Sequence, residues 1–320
     1  MATAFQKLRF AWSFRAVFAG REFVINTLLQ AKTKNKATTY IRKGAYILCK
    51  RLRQTAQPGT VVPPLLSLGW FGTSKPQETS SLSKSTNKLS QLDNDLKTAD
   101  ELYDSNETQE AYELLNKHKD SKSADVEWRL ARACRVLAEK SKDSEKKKAL
   151  TYESLDHAKL ALSIDEKNFA CHKWYAIALS NVGDYEGNKA KLQNAYTMKE
   201  HFEKAIELNP NDPTSHHLIG VWCFTFAEMG WVTRQLAATL FASPPSSTYD
   251  EALKHFQKAE ELEPNFYSQN HLLLGKTLLR QNKKDEAKKW LEKAAYSNPC
   301  KTVDDESAKK EAEELLKKNF

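Results

Sequence analysis

The chain has 320 residues, 40% of them apolar, and a formal net charge of +8. Ten glycines and little β-branched alternation argue against a sheet protein, and no run reaches the roughly 18 apolar residues that a membrane-spanning helix needs. The five scattered cysteines, Cys49, Cys134, Cys171, Cys223 and Cys300, show no pair at metal-ligand spacing and fit a reducing compartment.

The net charge hides a division. Residues 1–90 hold 15 Lys/Arg against 2 Asp/Glu, a balance of +13, whereas residues 91–320 hold 34 against 39, a balance of −5. Residues 1–72 therefore read as a basic N-terminal arm. Its first 53 residues set twelve Lys/Arg, among them Lys7, Arg9, Arg15, Arg21, Arg42, Lys43, Arg51 and Arg53, against the single acid Glu22. Phe5, Leu8, Trp12, Phe14, Phe18 and Phe23 are interleaved with them. Such a segment is either a mitochondrial targeting sequence or an electrostatic arm drawn to an acidic surface, such as an anionic membrane or the acidic tails of tubulin. No groove-reading motif accompanies the charge, so nucleic acid is not an expected partner. Residues 73–90, rich in Ser, Thr, Lys and Gln, read as a disordered linker.

Helical patterning fills residues 91–303. Leu96, Ala99, Leu102, Ala111, Tyr112 and Leu115 give a faint first unit. Val126, Trp128, Leu130 and Ala131 open a second, which continues through the charged stretch Lys142–Lys148 to Leu162. Trp174, Ile177 and Leu179 mark the first helix of a third, with Gly183-Asp184-Tyr185 as its turn. A second helix beginning near Asn188 is lengthened by residues 189–198. After Gly220, the stretch 230–248 holds Trp231, Leu236, Leu240, Phe241 and Pro244-Pro245 and reads as a short apolar helix and a rigid turn. A stretch this apolar either folds back into the solenoid's groove, the favoured reading, or forms an apolar binding patch beside it. Trp231 and Phe241, with Trp174 and Tyr175, are the candidate partner-binding residues, because aromatic anchors dominate binding surfaces.

The clearest unit comes next. With Gly275 at position 8 of a 34-residue repeat, Leu274 falls at 7, Ala287 at 20, Leu291 at 24, Ala294 at 27 and Pro299 at 32. This is the tetratricopeptide pattern. Small residues let two antiparallel helices approach, larger ones fill the space between, and proline ends the second helix. The position-27 alanines Ala161, Ala205, Ala259 and Ala294 are separated by 44, 54 and 35 residues, which implies insertions of about ten and about twenty. Residues 304–320 start acidic and end basic, matched to a helix dipole, and read as a capping helix sealed by Leu315 and Leu316. The expected fold is all-α, a tetratricopeptide-like α-solenoid of about four to five helix pairs.

No catalytic, metal or cofactor site is expected. His216-His217 and Cys171-His172 are adjacent pairs, and adjacent helical residues point about 100° apart. Phosphate loops, metalloprotease motifs and nucleophile elbows are missing from the sequence.

Three stretches, Cys171–Lys191, Lys199–Met229 and Phe241–Leu279, closely resemble the regulator of microtubule dynamics proteins. The resemblance covers roughly residues 91–300 and includes the Pro-Pro-Ser-Ser loop and both insertions. It implies a non-enzymatic solenoid associated with microtubules and spindle poles, hence cytoplasmic and cytoskeletal. Other members of that family carry an N-terminal membrane segment and sit at mitochondria or the endoplasmic reticulum; this sequence shows no such segment.

Overall fold

The computed structural model describes residues 79–240, 244–297 and 303–320. Two helices come first, α1 (Thr79–Asp104) and α2 (Thr108–Asn116). Four antiparallel-type pairs follow. The helix α3 (Ala124–Lys140) packs on α4 (Ser144–Ile164), and α5 (Phe169–Glu186) on α6 (Asn188–Leu208). Next, α7 (Pro213–Ala227) packs on α9 (Tyr249–Leu262), with the short α8 (Trp231–Leu240) between them in sequence. The last pair is α10 (Ser268–Arg280) with α11 (Lys284–Glu292), and α12 (Val303–Asn319) closes on α10. Among the described residues there is no strand.

The helix α1 begins at Thr79, inside the stretch read as a disordered linker. Leu89, Leu92, Leu96 and Ala99 recur every three or four residues and carry a helix pattern upstream through an otherwise polar sequence. Leu92 and Leu96 pack on Ala99, Leu115, Val126 and Leu130.

Four of the described helices start at side-chain caps. Asp143 accepts from the backbone N–H groups of Glu145 and Lys146, and Asn168 accepts from Ala170. Asp212 accepts from Ser215 at 2.8 Å, with Pro213 opening α7. Thr248 and Glu251 form a capping box at the start of α9. Each cap satisfies N–H groups that have no partner within the helix.

Two glycines set the repeat register. A Cβ on Gly275 would lie 2.7 Å from the Leu291 side chain, and one on Gly220 would lie 2.6 Å from the Phe256 ring. Leu291 and Phe256 both occupy position 24, so position 8 of each unit is where the facing helix presses on backbone. Ala161, Ala205, Ala259, Ala287 and Leu291 have no exposed surface, and Ala294 has 3%.

Gly183 does not form a turn. It lies within α5, where a Cβ would stand 3.1 Å from Cγ of Lys191. The chain reverses instead at Gly187, whose φ of 85° and ψ of 175° suit glycine almost alone. A glycine needed for close helix approach mimics a turn signal in sequence.

The second insertion contains the helix α8. Its Ala237 is buried in the largest core cluster, with Trp222, Phe226, Met229 and Phe256, while Gln235, Ala238 and Thr239 are exposed. Pro245 is buried in the segment after it. At the C-terminal end, Ala308 and Ala312 are fully buried against Leu272 and Leu291, with Leu315 and Leu316 half-buried beside them. Two alanines bring α12 close; the leucines cover the edge.

Candidate functional site

Trp174 is a core residue, 2% exposed among Trp128, Ile177, Phe202 and Ile219. It cannot act as a groove anchor. Its neighbour Tyr175 is half-buried and meets His201 edge-on, with ring centroids 4.7 Å apart. Trp231 opens α8, but its side chain lies outside the described residues, as does the whole of Phe241. The arm residues Lys7, Arg9, Arg15, Arg21, Arg42, Lys43, Arg51 and Arg53 also lie outside them.

The structure brings together aromatic pairs that the sequence does not announce. His172 meets His201 with ring centroids 5.0 Å apart, His216 meets His255 at 5.8 Å, and His271 meets Trp290 at 5.5 Å. All three are one repeat contact, position 4 on the first helix against position 23 on the second. In the uninterrupted last unit the partners are 19 residues apart; the two insertions stretch the spacing to 29 and 39. His172 and His201 approach within 2.8 Å through their Nδ1 atoms, so one donates and the other accepts. Burial, then the neighbouring His172, lowers the pKa of His201. Burial also lowers His216, and burial together with His216 pushes His255 down to about 4. His217, enclosed by Phe256, Phe266 and Tyr267, is pushed down to about 4 by burial. The lowered values favour neutral His201, His216, His217 and His255 at pH 7, where they serve as packing groups.

Charged groups join successive units. Lys173 on α5 is 1% exposed and places Nζ 3.0 Å from Asp212, the residue that caps α7. It also lies over the Phe169 ring at 4.9 Å. Asp100 on α1 binds both Arg129 and Arg132 on α3, and the Arg132 guanidinium sits 3.9 Å from the Tyr103 ring centroid. Burial opposes ionisation of Asp100, but the two guanidinium groups hold its carboxyl below the usual range. At the other end, Tyr267 and Ser268 donate to Asp304 and Asp305 in the first turn of α12.

Solvent-facing chemistry is sparser. At positions 9 and 13 of the first helices, Val221 and Thr225 are half-buried on α7. Lys276 and Arg280 take those positions on α10 and are tied to Glu311 and Glu228. Lys142, Lys146, Lys147 and Lys148 are exposed around the start of α4. That is the positive end of the helix dipole, where lysines gain nothing locally.

Comparison with known proteins agrees with this architecture. Residues 95–319 match the family described as regulator of microtubule dynamics protein 1-3. Regulator of microtubule dynamics protein 1 of Mus musculus is 58% identical over 222 residues, covering 69% of this chain and 72% of the mouse protein. Regulator of microtubule dynamics protein 3 of Rattus norvegicus is 37% identical over 224 residues, 69% of this chain and 47% of that protein. Among solved structures, a tetratricopeptide protein of Thermus thermophilus aligns with a TM-score of 0.50 at 17% identity, over 70% of this chain and 99% of its own. With that match across most of its helical body, the chain belongs to the regulator of microtubule dynamics family, close to protein 1, and has the family's all-α, tetratricopeptide-like fold.

Proposed function

We propose that this chain is a non-enzymatic scaffold that associates with microtubules and the mitotic spindle, using its repeat surface together with a basic N-terminal arm. The observation that carries this reading is family membership across residues 95–319, whose relatives are named as regulators of microtubule dynamics. Charge supports it. The +13 balance of residues 1–90 and the exposed lysines at 142 and 146–148 offer attraction to an acidic polymer surface such as the tails of tubulin. The solenoid supplies an extended surface for a second protein segment, which is the usual work of stacked repeats. Among the candidates whose side chains are described, Tyr175 is half-buried and so a partner-contact residue.

Co-sedimentation with stabilised microtubules tests this. The full chain should pellet at low salt. A chain lacking residues 1–90 should pellet more weakly, and salt should remove most of the difference because exposed charges are screened within about 10 Å at 0.1 M. Failure of both proteins to pellet at low salt would overturn the reading.

A second reading rests on the acid-poor arm, with one acid among its first 53 residues. The arm directs import into mitochondria, where the solenoid acts as a scaffold. N-terminal sequencing of the cellular protein separates the two. A mature form starting after about residue 50, with mitochondrial fractionation, supports import. An intact N-terminus in the cytosol removes it.

A further inference from the structure

The contact between α3 and α4 holds a group of side chains that the scaffold reading leaves unused. The Cys134 thiol, a Glu153 carboxylate oxygen and a His157 ring nitrogen all lie within 4.8 Å of one another. Glu153 and His157 are four residues apart on α4, so they share a face, and Cys134 meets them from α3. His157 Nε2 is 3.8 Å from Glu153. Its Nδ1 is 2.6 Å from Glu127, a carboxylate whose side chain is only 3% exposed. A carboxylate accepts, so Nδ1 donates to Glu127, which leaves Nε2 on the side of Glu153. Tyr112 donates to Glu153 at 2.6 Å.

We propose that Cys134, Glu153 and His157 bind one Zn2+ ion, with Glu127 orienting the imidazole and Tyr112 the carboxylate. The donor set of one sulfur, one nitrogen and one oxygen selects a borderline-soft ion over Mg2+ or Ca2+, which take oxygen ligands. In a tetrahedral zinc site the ligand atoms stand roughly 3.5 Å apart, so side-chain shifts of about 1 Å close the set on an ion. The Glu153 side chain is 38% exposed, which leaves an entry path and room for a water as fourth ligand. Glu127 on the far nitrogen is the outer carboxylate that zinc-binding histidines usually have. Binding replaces the S–H bond of Cys134 with an S–Zn bond and releases the proton to solvent.

Cobalt substitution tests the site directly. The reduced full-length chain, freed of metal by chelator, is titrated with Co2+. One equivalent should give the visible bands of tetrahedral cobalt and a near-ultraviolet thiolate-to-metal band, and one equivalent of Zn2+ should abolish both. Cys134→Ser should lose the thiolate band. His157→Gln and Glu153→Gln should weaken Co2+ binding at least about tenfold, and Glu127→Gln, which touches no metal, by about tenfold. Helical circular dichroism confirms that each variant is folded. If Cys134→Ser fails to fold, the half-buried His157→Gln decides the matter. A titration with no tetrahedral spectrum would overturn the proposal. Bands unchanged in Cys134→Ser, or binding unchanged in folded His157→Gln, would equally overturn it by placing the metal elsewhere.

Discussion

The helices α3 to α5 and the helices α7 to α11 share one repeat architecture but fill their interiors differently. Around α3 to α5 the interior is charged: Asp100 with two arginines, Glu127 with His157, and Lys173 with Asp212. From α7 to α11 one buried polar pair, Glu260 with His271, accompanies closure by contact, with the Phe256 ring on Gly220 and Leu291 on Gly275. The first region depends on paired charges, which are costly to break. The second depends on volume, which is costly to overfill.

The largest expected effect is in the charged region. Lys173→Met removes the cation beside a largely buried Asp212 and should cost about 3–4 kcal/mol in chemical denaturation. A cost below about 1 kcal/mol would mean that Asp212 is satisfied by its helix alone, and the contrast would fail. In the contact-closed region, acid should be the sharper tool. The pKa of His217 is near 4 when folded and about 6.5 when unfolded, so the unfolded chain binds more protons between those values. The stability it contributes is complete above pH 6.5 and is lost as pH falls toward 4, by about 3 kcal/mol. His255 shifts in the same direction and adds to this at a half-buried site. Urea midpoints across pH 7 to 4 measure the loss, and His217→Gln should flatten the profile.

Smaller substitutions compare the two glycines. Gly220→Ala forces a rigid ring to move and should cost about 2 kcal/mol. Gly275→Ala meets Cγ and Cδ2 of the fully buried Leu291 at 2.7 Å, with the Ala287 carbonyl at 3.3 Å, and should cost a comparable ~2 kcal/mol. Negligible costs in thermal melts would mean that position 8 does not set the register.

Much of this fold was legible. The run Gly275, Ala287, Leu291, Ala294 fixed one unit, and the spacing of the position-27 alanines located both insertions, because packing of like helices recurs with a fixed period. Polar contacts were harder to see. The 4-to-23 pairing of His172 with His201 is hidden by the lengthened α6. Glu153 and His157 show in sequence as a four-residue spacing, but Cys134 and Glu127 reach them from another helix. Trp174 was misread as a possible anchor because aromatic spacing does not tell core from surface. Gly183 was misread as a turn because close packing and chain reversal both select glycine.

The most direct test of the central claim uses microtubules with and without their acidic tubulin tails, the latter made by limited proteolysis. Binding of the full chain at low salt should be at least about tenfold tighter to intact microtubules, because the basic arm and the lysines at 142 and 146–148 lose their counter-charge when the tails are gone. Equal binding to both would contradict an electrostatic arm, and absence of binding to either would contradict microtubule association itself.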